Sequence, residues 1–341
     1  MRSLFEGVPA RAAWSLVCLI ALLYAAPLVF GGYVLSVLIL CCYFAVLGQA
    51  WNVMMGFAGQ LSLGHALYIG LGAYASGALF FHFGLGPWIG LIPAFIVAGA
   101  MGALIGWLGF RFGIRGVYFA LLTIAFAEFV RILFDHWGWI GGSSGMFLPV
   151  QNRNIDMDAA SIANAFWTLR GPNWVFYYVI LTGMVACLVI VRLLMRTRVG
   201  YYWLAIREDQ EAAQAMGINV LRYKLLAVVI SAMMTAFGGV FYAFYYNTLY
   251  PESIFSIDRS IELLLGVIIG GIGTLFGPIL GAFALTWLGE GLSITQEWFD
   301  IAGLKLLTYG VAMLAIILFR PAGLWPWLRR LLGMEERRPD A

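Results

Sequence analysis

Apolar residues run along this chain in blocks about as long as a bilayer is thick, and most charged residues fall between the blocks. A helix needs about 20 predominantly apolar residues to cross the hydrocarbon core. Blocks bounded by charge, Pro or Gly lie at 14–31, 34–51, 61–81, 88–110, 116–134, 174–195, 225–247, 260–275, 277–293 and 303–319. The pattern predicts an all-α, polytopic integral membrane protein of about ten transmembrane helices, one domain over residues 1–341. Two connections are long, 135–173 and 196–224, and a charged tail follows at 320–341. The first block has Arg2 and Arg11 before it and Ala25 and Ala26 near its end, features shared with a cleaved leader. A second block follows at once, so it reads as a span. The blocks between 260 and 293 are short, and a broken or re-entrant pair fits them as well as two full spans.

Composition agrees with the pattern: 62% of residues are hydrophobic and 11% charged, against roughly 45–50% and about 25% in soluble domains. Charge then orients the threading. With an inside N-terminus and ten spans, fifteen of the 20 Lys and Arg residues fall on the inner side, as the positive-inside rule requires. Arg153, Arg170, Arg259 and Lys305 fall outside, with Arg131 near the outer end of its span, and Trp137, Trp139, Trp167 and Trp174 suit an outer aromatic belt. The net charge of +3 is spread over short loops and tails, a statement about topology that gives no sign of a nucleic-acid partner. The partner it implies is membrane lipid. Cys18, Cys41, Cys42 and Cys187 lie in apolar stretches with no C-x-x-C spacing and no His cluster, which excludes a metal or disulfide framework.

The 196–224 connection, on the inner side, contains AIREDQEAAQAM at 205–216, a good helix former ending at Gly217, the residue type expected just past a helix C-terminus. As one helix it would put Ala205, Ala212, Ala213 and Met216 on one face, with Arg207, Glu208, Asp209 and Glu211 on the others. Such a helix would lie along the surface and offer a shallow docking face. An ordinary charged loop is the alternative.

The segment Glu211, Ala212, Ala213 and Gly217 resembles the E-A-A loop with which ABC-importer permeases contact their ATPase subunits. The wider chain resembles permeases of high-affinity branched-chain amino acid importers, the LivM type. The likeness is carried by NVMMGFAGQLSLGHALYIGLGAYAS from Asn52, RGVYFALLTIAFAE from Arg115, GGSSGM from Gly141, TRVGYYWLAIREDQEAAQAMGIN from Thr197, GGIGTLFGPILGA from Gly270 and FRPAGL from Phe319. It covers roughly residues 34–324. After Gly217, where many ABC permeases continue I-x-L-P, this chain reads INVLRYKLL. The resemblance implies a pore-forming subunit in a bacterial inner membrane, with both termini cytoplasmic and 196–224 as the cytoplasmic coupling loop. It implies a second homologous permease subunit, two cytoplasmic ABC ATPase subunits and an extracytoplasmic substrate-binding protein. ATP and Mg would be bound by the ATPases, with no cofactor on this chain. That division agrees with the lack of a P-loop, since neither Lys224 nor Lys305 follows a Gly. Members of the family handle Leu, Ile and Val, other small neutral amino acids, or urea and amides.

A solute route is sought where helices break or carry charge. Residues 52–77 begin with Asn52, Gly56 and Gly59, carry Gln60, Ser62 and His65, and predict a broken helix whose free N–H groups form a solute site. Pore lining and packing are equally good readings of Gln60 and Ser62, and His65 reads as a buried hydrogen-bonding residue. Farther on, small residues at four-residue spacing read as helix packing. Gly56, Gly59 and Leu61 share G-x-x-G-x-L with Gly270, Gly273 and Leu275, but both stretches fall on the inner side, whereas an inverted repeat would place them on opposite faces. Glu128 and Glu290 each lie about 20 Å into their spans from the inner side. With Arg131, Glu262 and Lys305 they suggest a charged outer vestibule able to receive a zwitterion; a local Glu128–Arg131 pair is the competing reading. A charge-free midplane counts against an ion-coupled carrier or channel, and the chain offers no nucleophile–base pair for an enzyme.

Overall fold

The computed structural model describes residues 10–149, 159–299, 307, 310, 311, 314, 318–320 and 322–331. Most of the predicted span at 303–319, Arg153, Lys305 and half of the 320–341 tail lie outside them. The chain enters through α1 (Ala10–Val29) and α2 (Gly32–Asn52), which continues as a π-helical turn, Val53–Phe57. Next come α3 (Ala66–Phe83), α4 (Pro87–Arg111), α5 (Val117–His136), α6 (Ala159–Thr168) and α7 (Asn173–Met195). The short α8 (Arg198–Glu208) and α9 (Gln210–Ala215) lead into α10 (Val220–Tyr246). After α11 (Pro251–Ile254), helices α12 (Ile257–Gly270) and α13 (Gly277–Phe299) form a hairpin, and α14 (Leu324–Leu331) follows. Six helices among the described residues are long and apolar enough to cross a membrane: α2 with its extension, α3, α4, α5, α7 and α10. The chain is a helical, polytopic membrane protein.

Among the boundaries that differ from the hydropathy reading, three are set by glycine or by a helix irregularity inside an apolar block, while the blocks at 225–247 and 277–293 extend to Val220 and Phe299. The block at 34–51 runs on to Phe57 because the π turn prolongs the helix. The block at 61–81 becomes helical only from Ala66. The block at 260–275 is helical only to Gly270, where Gly271 adopts φ 118° and turns the chain toward α13. Apolar runs mark where lipid is the solvent, but they do not see glycines or side-chain hydrogen bonds that end a helix inside one.

Helix α10 is the central post, packed against α2, α3 and α4, while α2 is itself covered by α7 and α13. Between helices in lipid, close van der Waals approach replaces the hydrophobic drive. The α3–α10 crossing shows why glycine is required: a Cβ on Gly239 would strike the Ile69 carbonyl oxygen, and one on Gly72 that of Ala236. Around this crossing Trp51, Tyr68, Tyr74 and Phe244 are fully buried.

The contacts sort by end. At one end β1 (Met146–Phe147) pairs antiparallel with β2 (Thr248–Leu249), and His82 stacks on Trp139. At the other end α8 and α9 meet the 58–65 segment, the 112–116 link and the 271–276 turn. These are called the ribbon end and the loop end.

Candidate functional site

The candidate site lies at the loop end and is assembled from four separate stretches of sequence. Its first part is the broken helix. Met54 and Met55 carbonyls accept the N–H groups of Gln60 and Gly59, and Thr123 Oγ1 on α5 accepts those of Leu63 and Gly64, each at 3.2 Å. Ser260 Oγ on α12 accepts the N–H of Ala66 at 2.9 Å. Five of the backbone donors in the broken segment, those of Gly59, Gln60, Leu63, Gly64 and Ala66, are thus engaged by the protein itself. Gln60 is buried and donates to the Ala58 carbonyl at 2.8 Å. Ser62 is buried, its carbonyl taking the indole N–H of Trp51 at 2.9 Å.

His65 is fully buried between two hydroxyls, with Nδ1 at 3.2 Å from Ser62 Oγ and Nε2 at 2.9 Å from Ser231 Oγ. Ser231 donates its own proton to the Ala50 carbonyl at 2.6 Å. Its oxygen therefore receives a proton from His65, which assigns the hydrogen to Nε2. The ring ties α10 to the broken segment.

Asn52 joins this segment to the helical hairpin. Its Nδ2 donates to the Thr274 carbonyl at 2.9 Å and its Oδ1 accepts the N–H of Gly273 at 2.8 Å. The two G-x-x-G-x-L stretches, related in sequence but not by inverted topology, are packed face to face here. Arg207 completes the assembly by donating from Nη1 to the Gly56 carbonyl at 2.6 Å, while its Nη2 is held by Glu208 at 2.7 Å.

The helix expected over 205–216 is instead two helices. Asp209 adopts extended backbone and its carboxylate accepts the N–H groups of Glu211 and Ala212 at 2.8 and 3.0 Å, capping α9 and ending α8. This is the competition between a short acidic side chain and the helical ladder. The predicted common face is lost with it: Ala213 turns inward against Ile206 and Val220, whereas Ala212 and Met216 are exposed. Gly217, at φ 83°, ends α9 as expected. Glu211 projects into solvent with a 3.7 Å ion pair to Arg115, and Gln210 accepts from Lys224 Nζ at 2.6 Å.

At the ribbon end the intramembrane charges stand in three pairings. Arg131 Nε donates to both Glu128 carboxylate oxygens at 3.0 Å, and Nη1 donates to Asp135 at 2.8 Å, all on α5. Glu262 lies 3.9 Å from Arg259 on α12. Glu290 on α13 accepts from Tyr33 Oη at 3.1 Å. Beside the α5 triad opens a cavity of about 610 Å³ lined by Asp135, His136, Ser143, Tyr250, Pro251, Glu252 and Ser253. Asp135, Glu252 and the ribbon were missed by the sequence reading. A carboxylate four residues beyond Arg131 was a readable signal for the first; the other two depend on long-range contacts.

Comparison with known proteins places this chain. The family described as branched-chain amino acid transport system, permease component, matches residues 33–319, and the chain belongs to that family. A LivM high-affinity branched-chain amino acid transport permease of Escherichia coli is 30% identical over 97% of this chain and 79% of its own length. Its Salmonella typhimurium counterpart is 29% identical over the same shares. A probable LivM permease of Methanocaldococcus jannaschii is 24% identical over 82% of this chain and 90% of its own.

Proposed function

We propose that this chain is the pore-forming permease subunit of an ABC importer that carries branched-chain or other small neutral amino acids inward. The observation that carries this reading is the family match across 33–319, which includes a short exposed helix, α9, presenting the E-A-A segment at the loop end. The loop end is cytoplasmic in this reading, as are both termini, in a bacterial inner membrane. About ten spans then thread one domain over 1–341, with 135–173 as the outer loop, 196–224 as the coupling loop and 320–341 as a cytoplasmic tail.

A second homologous permease completes the pore, and two ATPase subunits serve the pair, one of them docking on α9, and hydrolyse ATP with its Mg. A binding protein delivers solute at the ribbon end. There the cavity beside Arg131 is within the range of small-molecule sites, and the Glu128–Arg131–Asp135 triad offers both signs of charge to a zwitterion. Moving the solute needs no proton-carrying carboxylate at mid-depth, and Glu128, Glu262 and Glu290 are each paired. Glu211→Arg or Gly217→Leu is expected to release the ATPases and abolish uptake while the permease stays folded. Normal uptake in both variants would refute the docking role.

A further inference from the structure

Arg207, on α8, keeps its side chain 34% exposed while its guanidinium reaches across to the broken helix. Its stem crosses Gly59, where an added Cβ would lie 3.0 Å from Arg207 Cγ and 3.4 Å from its Cα. Its head reaches the Gly56 carbonyl, and a Cβ on Gly273 would come within 2.7 Å of Nη1. Gly56, Gly59 and Gly273 thus form a slot shaped to one guanidinium side chain. A side chain on Gly56 would also collide with Asn52 Oδ1. Gly59 and Gly273 have φ of 70° and 73°, conformations that L side chains rarely adopt. The remaining nitrogens are steadied by Glu208. Two residues further on, Asp209 and Gln210 begin α9.

The slot walls belong to different elements. Gly56 lies in the π turn that prolongs α2, a helix irregularity often found at functional positions. Gly273 lies in the turn joining α12 to α13, which Asn52 fastens to α2. A displacement of α9 therefore reaches α2 and the hairpin together through one side chain.

We propose that Arg207 is the positioning residue that couples α9 to the pore, locking the coupling loop to α2 and the α12–α13 turn instead of contacting the ATPase. This rests on the coupling-loop reading above. Two roles then fall four residues apart on successive helices: outward recognition to Glu211 on α9 and inward transmission to Arg207 on α8.

The test uses the complete importer in proteoliposomes, with permease pair, ATPases and binding protein, and leucine as the probe. Arg207→Ala, and independently Gly59→Ala, which fills the slot while leaving Arg207 in place, should retain co-purifying ATPase subunits. Leucine transported per ATP hydrolysed should fall about tenfold or more, as loss of a charge-assisted hydrogen bond implies. Arg207→Lys keeps the charge and a donor for Gly56, so it should recover part of the ratio. A fold defect lowers both rates without changing their ratio, so the ratio separates the two. Unchanged coupling in Arg207→Ala would overturn the proposal, as would loss of the ATPases matching that in Glu211→Arg. If Glu211→Arg itself keeps the ATPases and full coupling, the coupling-loop reading falls, and this proposal with it.

Discussion

Asn52 and Gly273 lie 221 positions apart and meet through a 2.8 Å hydrogen bond from the glycine N–H to the asparagine Oδ1. Because Nδ2 also donates to the Thr274 carbonyl, one buried side chain satisfies two backbone groups of the turn that closes the α12–α13 hairpin. Asn52→Leu should remove both bonds and lower stability by about 1–2 kcal/mol. Asn52→Asp should be no milder: it keeps the acceptor for Gly273 but sets a buried carboxylate oxygen against the Thr274 carbonyl. Thermal midpoints of the detergent-solubilised protein measure both. Equal midpoints for Asn52→Leu and the parent would refute the clamp.

Gly239 is expected to tolerate no side chain. An added methyl meets the Ile69 carbonyl, which is backbone and cannot rotate aside. Gly239→Ala should cost about 1–3 kcal/mol. Gly32→Ala, where a Cβ meets open space, should be neutral. Matching thermal shifts for the two substitutions would contradict the packing account of α3 and α10.

Arg131 is expected to matter for uptake beyond its worth as a surface ion pair. An exposed helical pair contributes about 0.3–0.5 kcal/mol, so a purely structural role predicts a small stability loss and normal transport. The vestibule role predicts strongly reduced amino acid uptake in Arg131→Gln with the subunits still assembled. Glu128→Gln should be the milder change, because Arg131 keeps Asp135. Normal uptake by both variants would remove the vestibule.

The helices were readable because lipid imposes one rule on every span. Gly56 and Gly59 announced the break that follows Phe57, and the apolar setting of His65 announced its burial. What could not be read is what holds the break in place. Thr123, Ser231 and Ser260 are single hydroxyls in long apolar helices, and only folding brings them to the 62–66 segment. The split at Asp209 lay nearer to hand, since a short acidic residue is a strong N-cap. It was outweighed by the helix propensity of the Ala, Glu and Gln around it. The likeness between the two G-x-x-G-x-L stretches was legible, but their contact through Asn52 was not.

The inward, ATP-driven transport proposed for this chain is tested most directly by one reconstitution. Proteoliposomes carrying the permease pair and its ATPases, oriented to receive a leucine-loaded binding protein at the ribbon end, are supplied with ATP and Mg at the loop end. Leucine should accumulate beyond equilibrium, and hydrolysis should rise with the loaded binding protein. Accumulation driven by a proton or sodium gradient without ATP would contradict the account.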